Sequence, residues 1–219
     1  MSALGIVSSE LILGGQKSGK SRRAELLARD WLASGGQDAV LVATAQPWDD
    51  EMQERIVRHQ HDRALRVPGL RTVEEPLDLA GAIVRHSASE TLLVVDCLTL
   101  WLTNLLMPAD ALHAPRADEA MSRWGDPDDS RFVIEPPQRV HPADTAQIHI
   151  SGLVAAIHAA PGPVVFVGNE IGLGVIPMGR EVRAFVDALG LLNQQVAAAC
   201  ERVVLMAAGL PLVLKAGQS

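Results

Sequence analysis

Glu10-Leu11-Ile12-Leu13, running directly into Gly14-Gly15-Gln16-Lys17-Ser18-Gly19-Lys20-Ser21, decides how this chain is read. The first four residues suit a short buried strand. From Ser21 to Ala33, residues Ala24, Leu27, Ala28 and Trp31 recur at the helical period, and Gly35-Gly36 stops them. A strand, a G-x-x-x-x-G-K-S turn and a helix in that order build a phosphate-binding loop. Gly14 and Gly19 let the backbone wrap phosphate oxygens with its amides turned inward. Lys20 neutralises the terminal phosphates, Ser21 offers a hydroxyl to Mg²⁺, and the helix adds the positive end of its dipole.

Further along, Ala39–Thr44, Thr91–Val95 and Pro163–Gly168 are apolar on both faces, as strands of a covered parallel sheet are. Helices are predicted between them. One starts at Asp49-Asp50 and runs to about Leu65, one covers Glu75–Arg85, and one covers 97–106. A long one spans Arg180–Glu201, with Val182, Phe185, Leu189, Leu192, Val196 and Cys200 on its inner face. Arg202–Met206 and Pro211–Leu214 close the chain as two strands around Ala207-Ala208-Gly209, so short a connection that the last strand is antiparallel. The pattern predicts a three-layer α/β fold of the RecA-like P-loop NTPase kind, mostly parallel with an antiparallel edge strand near the C-terminus. Residues 1–219 form a single domain in this reading, with an irregular insert at about 107–147. That insert is rich in Pro, Asp, Ala and Arg, has little periodicity, and carries one predicted helix around Ala117 to Trp124.

The chain has 219 residues, 48% of them hydrophobic, but only 3% aromatic and no Tyr, so its core is built from Leu, Val, Ile and Ala. A formal net charge of −7 argues against a nucleic-acid partner, which calls for a basic face. Cys97 and Cys200 lie in apolar runs and read as small buried hydrophobes. No secretory leader is visible at Met1–Ser9, and no apolar run reaches the roughly 18 residues of a membrane span. Cytoplasmic residence without stable membrane insertion is the expectation.

Three further places carry possible chemistry. Asp96 closes the strand Leu92-Leu93-Val94-Val95, where an acid would hold the metal, though it could equally cap the next helix. His59 shares a helical stripe with Met52, Ile56 and Arg63, which by periodicity makes it a core histidine. Yet Arg63 and Arg66 lie four and seven residues further on, and an imidazole beside cations suits attack on phosphorus. Asn169–Pro177, with Gly172 and Gly174, leaves a strand directly and forms either a binding rim or a plain turn. No Asn-Lys-x-Asp base-reading motif occurs, which weakens a GTPase-switch or non-catalytic module.

Taken together, LILGGQKSGKS, VATAQPWDDEMQERIVRHQHDR, TVEEP, LLVVDCLTLWLTNLL and GNEIGLGVIPMGREVRAFVDALGLLNQQVAAACERVVLM resemble the bifunctional adenosylcobinamide kinase/adenosylcobinamide-phosphate guanylyltransferase family. The resemblance covers most of the chain outside its ends and the insert. It implies phosphorylation of adenosylcobinamide by ATP or GTP, then transfer of GMP from GTP through a guanylylated histidine, giving adenosylcobinamide-GDP. It places the nucleotide loop on Gly14, Gly15, Gln16, Lys17, Ser18, Gly19, Lys20 and Ser21, and a second nucleotide contact on Thr44, Ala45 and Gln46. The guanylylated residue falls on His59. Guanosine contacts fall on Gln60, His61, Asp62 and Arg63, and two further GTP-contacting acids on Glu74 and Asp96, with Ser21 and Asp96 serving Mg²⁺. It also implies a homotrimer. The alternative is another small-molecule P-loop kinase, forming no covalent GMP intermediate and using His59 only structurally.

Overall fold

The computed structural model describes residues 5–47, 50–107, 142–175 and 177–217. Its elements are β1 (Ser9–Gly14), α1 (Lys20–Ala33), β2 (Asp38–Ala43), α2 (Asp50–Arg66), β3 (Leu70–Glu74), α3 (Leu79–His86), β4 (Thr91–Asp96) and α4 (Leu98–Leu106). They are followed by α5 (Pro142–Ala159), β5 (Val164–Asn169), α6 (Arg180–Ala199), β6 (Arg202–Ala207) and β7 (Leu210–Lys215). The strands form one seven-stranded sheet in the order β3-β2-β4-β5-β1-β6-β7. Every neighbouring pair is parallel except β6 with β7. One strand, β5, separates the glycine-loop strand from the strand ending in Asp96, which is the RecA-like arrangement.

Alternation along the central strands sorts the core into two layers, because successive side chains leave a strand on opposite faces. Leu11, Leu13, Val40, Val42, Leu93, Val95, Val164 and Phe166 face α3, α4, α5 and α6. Ile12, Ala39, Leu41, Leu92, Val94, Val165, Val167 and Val204 face α1, where Ala24, Leu27 and Ala28 meet them. Both cysteines are buried and free, as their apolar surroundings imply.

The structure corrects the sequence reading in three places. Leu70–Glu74 is a strand at the sheet edge, and the third helix begins only at Leu79, after Pro76, with the Asp78 side chain accepting from Gly81 N at 3.0 Å as its N-cap. The insert cannot extend to 147, because α5 starts at Pro142 and buries Ala146, Ile150, Leu153 and Ile157. The helix expected around Ala117 to Trp124 lies outside the described residues. Among the described residues, no helix is long and apolar enough to cross a membrane.

Glu10, the second residue of β1, is only 1% exposed although the strand is otherwise mostly apolar. Arg23 of α1 donates to one of its oxygens at 2.8 Å and Arg202 Nε of β6 to the other at 2.8 Å, so the carboxylate ties helix and neighbouring strand to β1. Removing one member of such a buried set strands the remaining charge. The Glu10→Ala variant is expected to lose about 3–5 kcal/mol of unfolding free energy, read as a lowered urea midpoint at unchanged slope. A loss below about 1 kcal/mol would mean the pair contributes as little as a surface one.

Candidate active site

Six parallel strands direct their carboxyl ends to one edge of the sheet, where three of the predicted site residues, Gly14, Glu74 and Asp96, stand. Glu74 pairs with Ala43, Ala43 with Asp96, and Asp96 with Val167, so these residues form one row across β3, β2, β4 and β5. Gly14 stands two residues above that row on β1, level with Asn169 and Met206. At roughly 4.8 Å per strand, Asp96 lies two strands, about 10 Å, from the glycine-loop strand, and Glu74 four strands, about 19 Å. Asp96 is therefore within reach of the loop, while Glu74 marks the far border. A cavity of about 530 Å³ between Ser8, His158, Glu201 and Lys215 opens at the opposite edge and touches none of the candidate residues.

The loop is a tight cradle. A Cβ on Gly14 would lie 2.5 Å from the Met206 carbonyl oxygen and 2.6 Å from Ser18 Oγ, so no side chain fits there. Gly19 has φ 100°, a conformation glycine adopts freely, and it caps the amino end of α1. Gly209 N donates to Ser18 O at 3.0 Å and ties the loop to the β6–β7 turn. Gly15, Gln16 and Lys17 are exposed along the loop, whereas Ser18 Oγ is buried with no hydrogen-bond partner. Lys20 is buried and donates from Nζ to Gly15 O at 2.6 Å, folding its ammonium over the loop. Ser21 Oγ faces Asp96 Oδ1 at 3.4 Å.

Asp96 does not cap α4, since the N-cap residue is Cys97 and makes no side-chain cap. Burial pushes the Cys97 thiol up to about 11, which keeps it protonated and inert. Thr44 is fully buried and spends its hydroxyl locally. Its Oγ1 donates to Cys97 O at 2.7 Å and accepts from Cys97 N at 2.8 Å. Asn104 of α4 donates from Nδ2 to Thr44 O at 2.8 Å and to Pro76 O at 3.1 Å, gathering the exits of β2 and β3. Thr99, one turn earlier, accepts from Asn169 N at 2.9 Å at the exit of β5. Ala45 and Gln46, next after the exit of β2, are half-buried. The sequence reading missed Thr99 and Asn104; the available signal was an amide and two threonines in the otherwise apolar Leu98–Leu106.

His59 is exposed, so periodicity misplaced it in the core. Among the described side chains of its stripe the buried one is Arg63, whose Nε approaches Glu25 Oε1 of α1 at 3.7 Å and whose Nη1 donates to Thr72 Oγ1 at 3.3 Å. Arg66 also pairs with Glu25, and Asp62 lies 3.6 Å from Arg66 Nη2. Burial pushes the Glu25 carboxyl above the ordinary carboxylate range, against the pull of Arg66 and Arg63. Both arginines thus belong to the contact between the helices. Gln60 and His61 are exposed on α2, and His61 lines a shallow outer groove with Gln53, Glu54, Val57 and Arg58.

That contact sets a height. α1 and α2 each leave the carboxyl end of a parallel strand and run back to the start of the next strand in sequence, so they point the same way. Ser21 lies four residues before Glu25, and His59 four residues before Arg63. Each is about 6 Å of helix above the linked pair. Ser21 and His59 are therefore within about one helical turn of the same level on neighbouring helices, with Lys20 next to Ser21.

Residues 10–214 match the family described as cobinamide kinase / cobinamide phosphate guanyltransferase, CobU. The chain belongs to this family. It is 41% identical over 206 residues to the bifunctional adenosylcobalamin biosynthesis protein CobP of Pseudomonas aeruginosa, covering 94% of this chain and 96% of that protein. Against the bifunctional adenosylcobalamin biosynthesis proteins CobU of Escherichia coli and Salmonella typhimurium it is 33% identical, covering 94% of this chain and 98% of each. The flagellar accessory protein FlaH of Methanocaldococcus jannaschii superposes with a TM-score of 0.45 at 10% identity, over 98% of this chain and 80% of that one.

Burial holds the Lys20 ammonium below its ordinary 10.5, against opposing pulls from Cys97 and Asp96. A triphosphate laid in the cradle brings negative charge and raises it again. Below both values Lys20 is charged with or without nucleotide, and binding moves no proton. Between them, on the alkaline side, binding takes up a proton and affinity weakens by up to about tenfold per pH unit. Calorimetry at alkaline pH in two buffers of different ionisation enthalpy is expected to show this uptake, and Lys20→Arg to abolish it. Binding without proton uptake across that range would contradict the assignment.

Proposed function

We propose that this chain phosphorylates adenosylcobinamide with a nucleoside triphosphate, ATP or GTP, and then transfers GMP from GTP to the product through His59. One cradle serves both reactions. The observation that carries this is the nearly common level of Lys20, Ser21 and His59 set by the Glu25–Arg63 contact. A triphosphate held by the Gly14–Ser21 amides then presents its γ-phosphorus toward one acceptor and its α-phosphorus toward α2. The orphaned Ser18 hydroxyl and the inward Lys20 ammonium suit the phosphate oxygens.

In the first reaction the aminopropanol oxygen forms a bond to the γ-phosphorus, and the bond to the β-phosphate oxygen breaks, its electron pair leaving with the nucleoside diphosphate. In the second, a ring nitrogen of His59 attacks the α-phosphorus of GTP and pyrophosphate departs. The corrinoid phosphate oxygen then attacks the same phosphorus, and the phosphorus–nitrogen electron pair returns to the imidazole. Lys20 neutralises charge on the phosphates in each step. Ser21 and Asp96, with oxygens 3.4 Å apart, are hard oxygen donors that would hold a Mg²⁺, which would supply neutralisation of phosphate charge when bound.

Family resemblance assigns Thr44, Ala45 and Gln46 to the nucleotide, Gln60, His61, Asp62 and Arg63 to guanosine, and Glu74 to GTP; the contacts of Thr44 with Cys97 and of Arg63 with Glu25 and Thr72 support a positioning part for these two. The resemblance also supports a cytoplasmic homotrimer in which residues 1–219 act as one P-loop domain. Sedimentation near three times 23.4 kDa checks the assembly.

Incubation with GTP labelled at the α-phosphate is expected to give an acid-labile, alkali-stable protein adduct. In His59→Ala the adduct should vanish and GMP transfer fall by at least about 10³-fold, while phosphorylation of adenosylcobinamide persists. Persistence of the adduct in His59→Ala would refute the nucleophile. An active kinase with no adduct in the unaltered chain would favour a simple small-molecule kinase.

A further inference from the structure

Phosphorylation of an alcohol leaves a proton to be placed, and the residues named so far do not take it. Of the acids at or just beyond the ends of the parallel strands, Glu74 and Glu75 are on or beside β3, four strands and about 19 Å from the glycine-loop strand, and Glu75 pairs with Arg85. Asp96 is nearer, but its carboxylate faces Ser21 and is committed to the metal. The residue after Asp96 is Cys97, a buried free thiol that is no carboxylate. There remains Glu170, the first residue beyond β5, and β5 lies between the cradle strand and the Asp96 strand.

We infer that Glu170 is the base of the phosphorylation step, its carboxylate taking the proton of the aminopropanol hydroxyl as that oxygen attacks the γ-phosphorus. This rests on the kinase reaction proposed above. Glu170 is bolted to the cradle itself, since its backbone N donates to Gly14 O at 3.1 Å. Its side chain is oriented at two points. Oε1 accepts from Gly172 N at 2.8 Å, and Oε2 lies 3.4 Å from Asn193 Nδ2. Asn193 is 4% exposed on α6 and also donates to Asn169 O at 3.1 Å, so it holds the turn from beneath. A carboxylate has about four lone-pair sites, and these contacts use two, leaving acceptor capacity for a hydroxyl. Transfer balances without another reactant: the O–H bond breaks, its proton goes to Glu170, and the oxygen keeps the pair that bonds phosphorus.

The competing account is that Glu170 only closes its own turn through Gly172 N. Glu170→Gln separates the two, because the amide oxygen still accepts from Gly172 N but the side chain can no longer take a proton. Phosphorylation of adenosylcobinamide by γ-labelled nucleotide is measured beside labelling of His59 by α-labelled GTP in the same preparation. The inference predicts a kcat lowered by about 10²–10⁴-fold in Glu170→Gln, with nucleotide KM and His59 labelling within about threefold of the unaltered chain. Glu170→Asp should recover part of the kcat. The inference is overturned if kcat in Glu170→Gln stays within about threefold, or if His59 labelling falls in parallel, which marks a cradle defect. An unaltered chain that labels His59 but phosphorylates no cobinamide would refute the kinase reading itself, and Glu170's role with it.

Discussion

Gly14 leaves no room for a side chain, and the site depends on that. The carbonyl of Met206 and the hydroxyl of Ser18 fill the space a Cβ would take, so the chain leaves β1 pressed against β6 and turns at once into the loop. Because β1 lies between β5 and β6 in a parallel sheet, the same turn brings the exits of its neighbours to the loop. Glu170 N bonds Gly14 O on one side, and Gly209 N bonds Ser18 O on the other. The cradle is thus held by backbone geometry, and its side chains are free for chemistry.

Around it, buried polar groups do the positioning that apolar packing cannot. Thr44, Thr99 and Asn104 fix the exits of β2, β5 and β3 to one helix, α4, which starts directly after Asp96 and Cys97. Hydrophobic contact is non-directional and tolerates small sliding. Hydrogen bonds to named carbonyls do not, and an acid that must meet a serine 3.4 Å away needs that definition. Glu25 plays the same part between α1 and α2, where charge takes the place of an apolar seam.

This division explains what could be read in the sequence. β1, β2, β4 and β5 were legible because strands buried on both faces are continuous apolar runs, and the G-x-x-x-x-G-K-S turn carries its own geometry. β3 was not legible: Leu-Arg-Thr-Val-Glu at the sheet edge has no period of two, only Leu70 and Val73 are partly buried, and it pairs with β2 alone. α5 was overlooked although Ala146, Ile150, Leu153 and Ile157 have helical spacing, because its start adjoins a compositionally irregular stretch. His59 was assigned inward by a periodicity argument that presumes an apolar buried face, whereas α2 buries Arg63. Lys20, Ser21 and Asp96 followed from motif chemistry, but the nearly common level of Ser21 and His59 required the Glu25–Arg63 contact, which no spacing reveals.

The central claim is that a single phosphate cradle supports two transfers at different phosphorus atoms. Lys20→Ala tests it, with γ-phosphoryl transfer to adenosylcobinamide and guanylylation of His59 measured on the same folded preparation. The account predicts that both rates fall together, each by at least about 10²-fold, since both transition states lose the same ammonium. Loss of phosphorylation with guanylylation of His59 continuing at the unaltered rate would contradict it, and would require a second nucleotide site.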